Sequence, residues 1–263
     1  MSKPAVLTLD DKEYVFPTIK GVENEKAVDF RTLRSATGYI SYDEGYGNTG
    51  SCQSEITYID GEVGILRYRG IPIEQLADKS SFLESSYMIL YGDLPTQFEL
   101  DQFKARVREG TAVSPMMCDA LKGFPRDAPP MGMLGSMLGA MSCYNASLAT
   151  NDRAVDLEYF DEAAAAAIAQ TATAAALGYR VTKGLEGNQP DPSLSFGDNF
   201  LHLMFSEEGR PYKAIPEVSR ALDLMLLLHA DHEQNCSTST VRMVASGGAN
   251  LFASVAAGCG ALW

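Results

Sequence analysis

An alanine-rich stretch in the middle of the chain limits what the chain can fold into. Residues 161–177 read DEAAAAAIAQTATAAAL. Alanine is the strongest helix former, and its small side chain lets neighbouring helices pack closely. Apolar residues also recur at helical spacing in 81–90 and 216–233, and the methionines of 131–141 have the spacing of a helical core. The sequence therefore predicts a mainly α fold with many helices.

The N-terminal part differs, because β-prone runs alternate there with turn residues. Two such runs, 55–59 and 62–69, flank an Asp-Gly pair, which is the strongest short signal for a β-hairpin. We predict a small β-rich region over residues 1–70 and a helical region over residues 71–263.

The balance of charges excludes some classes of partner. The 263 residues include 34 acidic and 21 basic side chains, which gives a formal net charge of −13. So acidic a surface repels phosphate backbones and anionic lipid. The five cysteines show no Cys-x-x-Cys spacing and fit reduced thiols better than disulfides. We expect a cytoplasmic protein that binds neither nucleic acid nor membrane.

Polar residues crowd the end of the predicted helix 216–233. Two of the three histidines in the chain, His229 and His232, lie in the segment LHADHEQNCSTST at 228–240. We predict that they are i, i+3 neighbours on one helical face, that the helix ends near Glu233, and that a non-helical polar run follows. Burying such groups unpaired costs roughly 2–7 kcal/mol each, so the segment predicts a polar pocket.

The residues alone leave three interpretations of this pair open. The histidines cap a helix terminus, where a cation is favoured. Alternatively, His229, His232 and Glu233 hold a metal ion, although the spacing differs from His-Glu-x-x-His. The third interpretation is a site for an anionic or carbonyl substrate. His202 lies apart on another apolar helical segment and is predicted to be a core histidine with its hydrogen bonds satisfied.

Three long motifs resemble bacterial citrate synthases. They are LHADHEQNCSTSTVR at 228–242, GILRYRGIPI at 64–73 and SFLESSYMILYGDLPT at 81–96. The resemblance extends over essentially the whole chain, and its β-rich beginning is similar to the hexamer-forming bacterial type. It implies a multi-helical enzyme of the tricarboxylic acid cycle, a homodimer and possibly a hexamer. Such an enzyme condenses oxaloacetate with acetyl-CoA as co-substrate, and it needs no metal or other cofactor.

The same resemblance implies roles for four residues. His232 matches the histidine that binds oxaloacetate and polarises its ketone. His229 matches a residue that lines the same region. Asn235 and Ser237 match positions that hold the substrate pocket and orient the catalytic histidine, which makes Ser237 a supporting residue and not a nucleophile.

The family's remaining acid–base residues have no match in this chain. The resemblance places the enol-stabilising histidine, a second catalytic histidine, the aspartate base, the carboxylate-binding arginines and the small domain after Trp263. Because the sequence stops within an apolar run, we expect a fragment of a longer chain that is inactive on its own. The alternatives are a 2-methylcitrate synthase, which uses propionyl-CoA, and a truncated assembly fragment without catalytic activity.

Overall fold

A computed structural model describes residues 3–112, 114–150 and 152–263. The chain divides into two compact units, Met1–Ser54 and Glu55–Trp263. The β-rich region predicted over 1–70 therefore takes in the first unit and the opening hairpin of the second, and the domain boundary at residue 70 stays a prediction.

The first unit contains two short antiparallel hairpins and one helix. Its elements are β1 Ala5–Leu9, β2 Lys12–Phe16, β3 Thr18–Lys20, β4 Lys26–Val28 and α1 Leu33–Thr37. Asp10 and Asp11 connect β1 to β2 with φ angles of 48° and 60°. Positive φ at both central residues is the geometry that a two-residue hairpin turn requires, and aspartate tolerates it better than most residues do.

The second unit opens with a three-stranded antiparallel sheet. Its strands are β5 Thr57–Asp60, β6 Ile65–Tyr68 and β7 Ile71–Pro72. The hairpin predicted around the Asp-Gly pair is confirmed, because Asp60 pairs with Ile65 across the turn. The Asp60 carboxylate accepts hydrogen bonds from the backbone N–H groups of Glu62 and Val63, which is how aspartate stabilises a turn.

Helices make up most of the second unit, so the predicted mainly α fold is confirmed. They are α2 Ile73–Lys79, α3 Phe82–Tyr91, α4 Gln97–Gly110, α5 Pro115–Lys122, α6 Pro130–Tyr144, α7 Arg153–Glu158, α8 Phe160–Thr182, α9 Phe196–Phe205, α10 Pro216–Leu228, α11 Cys236–Ser246 and α12 Leu251–Leu262. Helix α4 begins with a capping box in which Thr96 and Glu99 bond to each other's backbone N–H groups. Within the described ranges, no helix combines the length and the apolar character needed to cross a membrane.

The alanine-rich helix α8 lies at the centre of the largest apolar core. On one side it packs against α6, whose Met133, Met137 and Met141 are buried as predicted. On another side it approaches α4 so closely that a Cβ added to Gly110 would lie 3.1 Å from the Cα of Ala166. Small side chains along α8 therefore make this helix packing possible.

Candidate functional site

The predicted site lies in the connection between α10 and α11. The predicted helix end near Glu233 is wrong, because α10 ends at Leu228 with His229 as its C-cap. The prediction of a non-helical run after it is wrong as well, because α11 begins at Cys236. We call residues 229–235, which join the two helices, the histidine loop.

The loop, and not a helical face, brings the two histidines together. The ring centroids of His229 and His232 are 5.8 Å apart, with an angle of 52° between the planes. Nδ1 of His229 lies 2.7 Å from the carbonyl oxygen of Met225. A carbonyl only accepts hydrogen bonds, so Nδ1 carries the hydrogen and donates it. The interpretation of a histidine at a helix terminus is therefore confirmed for His229.

His232 differs from its neighbour in having both ring nitrogens available. Its side chain is exposed, and the imidazole has no hydrogen-bond partner among the residues that the structure describes. An imidazole with both nitrogens available can donate to a ligand oxygen or accept a proton from one. Of the two histidines, His232 therefore has the greater capacity to bind a ligand, since His229 keeps only Nε2 available.

Asn235 and Ser237 lie at the start of α11 and bond to each other. The Asn235 side-chain oxygen accepts from the backbone N–H of Thr238 at 2.8 Å and from the Ser237 hydroxyl at 2.7 Å. Asn235 is thus the N-cap of α11, and its own amide NH₂ group stays available as a donor. The structure places all four predicted residues at one junction, and the binding roles of all four stay predictions.

Two further residues hold this loop: Tyr68, to which the sequence analysis gave no role, and Glu233, whose only functional role there was that of a possible metal ligand. The hydroxyl of Tyr68 lies 3.2 Å from the carbonyl oxygen of Leu227 and 3.3 Å from that of Leu228, both at the end of α10. The Glu233 carboxylate accepts a 2.8 Å hydrogen bond from the backbone N–H of Ile59 in β5. The only sequence signal for Tyr68 was its place in an apolar strand, because a buried tyrosine hydroxyl needs a partner.

The structure gives no support to the metal interpretation. Among residues 3–112, 114–150 and 152–263, no group of three or more His, Cys, Asp or Glu side chains is placed to hold a metal ion. The Glu233 carboxylate, which would have been the third ligand, already accepts the Ile59 N–H.

His202 fits its predicted structural role. Its Nε2 lies 3.1 Å from the carbonyl oxygen of Gln189, and its Nδ1 lies 2.9 Å from the hydroxyl of Ser206. Both ring nitrogens of this half-buried side chain are therefore used inside the protein.

Two cavities lie away from the histidine loop. One of about 300 Å³ is bordered by α4, α8 and α9, and its lining includes Lys104 and Arg108. The other, of about 560 Å³, is almost entirely apolar, and its lining includes Phe82, Phe160 and Leu226. The four predicted site residues line neither of these two cavities, and the side chains of His229 and His232 are both exposed.

Comparison with known proteins gives consistent matches over most of the chain. Residues 45–263 match the family described as citrate synthase, C-terminal domain. Citrate synthase 1 of Mycobacterium tuberculosis is 42% identical over 261 residues, which is 98% of this chain and 59% of that protein. Citrate synthase of Corynebacterium glutamicum is 42% identical over 258 residues, 98% of this chain and 58% of its own length. The chain therefore spans less than two thirds of the curated relatives that it matches.

Comparison with solved structures also finds citrate synthases. Citrate synthase from Pyrobaculum aerophilum superposes with a TM-score of 0.70 at 30% identity, covering 100% of this chain and 60% of that one. A citrate synthase from Thermoplasma acidophilum, solved as a ternary complex with carboxymethyl coenzyme A and oxaloacetate, gives a TM-score of 0.75 at 27% identity. That match covers 84% of this chain and 56% of the other. These names do not favour the 2-methylcitrate synthase alternative.

Proposed function

Because the chain belongs to the citrate synthase family, we propose that it carries the oxaloacetate-binding histidine loop of a citrate synthase. That enzyme condenses oxaloacetate with acetyl-CoA to give citrate and CoA. The observation that carries this proposal is the pair of exposed imidazoles, 5.8 Å apart, one of which keeps both nitrogens available.

His232 is suited to bind the ketone of oxaloacetate. In the condensation, the methyl carbon of acetyl-CoA loses a proton and attacks the ketone carbon, so negative charge develops on the ketone oxygen. An N–H donor aimed at that oxygen strengthens its hydrogen bond as the charge grows, and it therefore stabilises the transition state more than the bound substrate. Hydrolysis of the resulting thioester then releases citrate and CoA.

The end of the histidine loop that leads into α11 supplies groups for the substrate's carboxylates. Helix α11 begins one residue after Asn235, and the partial positive charge of a helix N-terminus favours anions. The free NH₂ group of Asn235 adds a donor at the same end. Local positive potential matters here, because a protein with a net charge of −13 repels a dicarboxylate over most of its surface.

The supporting role that we propose for Ser237 follows from its hydrogen bond. Its hydroxyl donates to the Asn235 side-chain oxygen, which fixes the amide plane of Asn235. The NH₂ group of that amide is then held in one direction as a donor. We include in the proposal a cytoplasmic location and a homodimer, possibly a hexamer, with acetyl-CoA as the second substrate.

Direct binding of oxaloacetate tests this proposal on the chain itself. The protein has three histidines, so their Cε1–H signals give a simple NMR spectrum. On titration with oxaloacetate we expect the His229 and His232 signals to move together while the His202 signal stays fixed. Asn235→Ala should weaken binding, whereas Asn250→Ala, which removes the matching N-cap of α12, should not. A titration that moves none of the loop histidines would refute the proposal.

A further inference from the structure

The hairpin formed by β5 and β6 contacts the histidine loop at both of its ends. Tyr68, the last residue of β6, reaches Leu227 and Leu228 at the end of α10, and it also lies 3.2 Å from the carbonyl oxygen of Asp231. The backbone N–H of Ile59 in β5 binds the carboxylate of Glu233. One rigid element therefore holds the residues that immediately flank His229 and His232.

The Tyr68 side chain combines a buried ring with a hydroxyl that bonds to the backbone on both sides of His229. Its ring is fully buried with Leu76, Met88 and Leu227 in a small apolar core. The hydroxyl donates to one of three nearby carbonyl oxygens and accepts from the backbone N–H of Asp231, 3.4 Å away. The last carbonyls of a helix have no partner within the helix, and this hydroxyl offers its single hydrogen to those at the end of α10. The Leu227 carbonyl also accepts from the backbone N–H of Ala230, so the hydroxyl adds to the bonds that already close the helix.

Glu233 shows why the loop needs such a support. Its backbone has a φ of 60°, in the left-handed region that residues other than glycine rarely adopt. Its N–H donates to the Asp231 carboxylate at 3.0 Å, and its side chain is bound to Ile59. A conformation of this kind persists only where surrounding interactions hold it. His232 precedes Glu233 directly, so a change in the backbone of Glu233 would move that imidazole relative to α11.

We propose that Tyr68 and Glu233 are positioning residues that fix the orientation of the His229 and His232 imidazoles. The ligand that these imidazoles would meet rests on the proposed function, but the positioning itself does not. Neither side chain touches the substrate in this scheme. Loss of either interaction lets the histidine loop populate other conformations, and a ligand that binds one conformation then binds more weakly in proportion.

The first test replaces Tyr68 by phenylalanine, which keeps the ring in its core and removes the hydroxyl. We expect the His229 and His232 Cε1–H signals to shift or broaden at constant pH, while the His202 signal keeps its position. Oxaloacetate should bind about ten-fold more weakly, as expected for loss of one buried hydrogen bond. The matched control is Tyr91→Phe, which removes a hydroxyl bonded to Asp161 on α8 and should leave both loop signals unchanged.

A second variant covers the case in which Tyr68→Phe does not fold. Glu233 is exposed, so Glu233→Ala removes the bond to Ile59 without opening the core. It should move the His232 signal and raise the Kd for oxaloacetate, whereas Glu233→Gln, which keeps an acceptor oxygen, should restore most of the binding. If folded Tyr68→Phe and Glu233→Ala both leave the loop signals in place, the positioning proposal is wrong. If the wild-type chain does not bind oxaloacetate but the variants still shift the His229 and His232 signals, the positioning proposal holds and only the proposed function fails.

Discussion

The ends of α9 and α10 are built alike but leave their histidines in opposite states. At the end of α9, the buried side chain of Arg180 donates to the carbonyl oxygens of Met204 and Ser206. The guanidinium comes from the preceding helix, α8, whereas Tyr68 comes from the distant strand β6 to reach the end of α10. In both places a buried donor from another element bonds to carbonyl oxygens at the end of a helix.

The difference lies in what the imidazoles do. His202 uses both ring nitrogens inside the protein, with Gln189 and Ser206 as partners. His229 uses one nitrogen, and His232 uses neither within the described part of the chain. The comparison teaches that a fixed helix end makes a ligand site only where side-chain donors are left unsatisfied; where all of them are used, the same construction serves stability alone.

The largest effect that we expect from this comparison is on stability, at the end of α9. Arg180→Met removes the donor that serves Met204, Ser206 and the carbonyl of Glu186. The Ser206 carbonyl keeps its bond from the Asn188 amide, whereas those of Met204 and Glu186 lose the guanidinium. We expect the free energy of unfolding, measured by urea denaturation, to fall by about 3 kcal/mol. Arg153→Met, at an exposed position on α7, is the control and should change it by less than about 0.5 kcal/mol. An Arg180 variant as stable as that control would show that water replaces the guanidinium, and the likeness between the two ends would disappear.

A pair of histidine variants tests the contrast itself. His202→Ala loses two hydrogen bonds and should lower the free energy of unfolding by about 1–2 kcal/mol, with no change in oxaloacetate binding. His232→Ala should leave the free energy of unfolding within about 0.5 kcal/mol of the wild type and weaken oxaloacetate binding about ten-fold or more. Urea denaturation and calorimetric titration give the two quantities. The contrast between a structural His202 and a ligand-binding His232 would be wrong if either variant changed both the free energy of unfolding and the affinity for oxaloacetate to a similar degree.

Local sequence signals were sufficient for most of the helices. Alanine content predicted α8, and apolar spacing predicted α3 and α6, because these signals depend on residues within one or two turns of each other. The Asp-Gly pair predicted the β5–β6 hairpin for the same reason. These elements form where propensity, capping and patterning agree.

The end of α10 could not be predicted in this way. Apolar spacing continues through His229, so the pattern extends the helix past its real end at Leu228. What ends it is the competing N-cap at Asn235 together with a hydrogen bond from Tyr68, which is 159 residues away from Leu227. The motif around His232 identified which residues meet, but the positioning residues depend on contacts between distant segments, which no local pattern contains.

The smallest effect that we expect is a loss of stability at alkaline pH. It distinguishes the two helix ends because Tyr68 at the end of α10 can ionise there. Burial raises the pKa of the Tyr68 hydroxyl above its ordinary value of 10. A raised pKa in the folded state means that the stabilisation is fully present below pH 10 and is lost as the pH rises toward the folded pKa. Tyr68→Phe removes this pH-dependent contribution, so the variant should lose less stability than the wild type between pH 8 and pH 10. The difference is at most about 0.4 kcal/mol at pH 10, where half of the unfolded tyrosine is ionised.

Urea denaturation at several pH values measures this difference. Tyr42→Phe, at an exposed position, provides the background of general alkaline destabilisation. Parallel pH profiles for wild type and Tyr68→Phe would mean that the hydroxyl reaches water in the folded protein. In that case it could not be the buried donor that fixes the end of α10, and the histidine loop would depend on the Glu233–Ile59 bond alone.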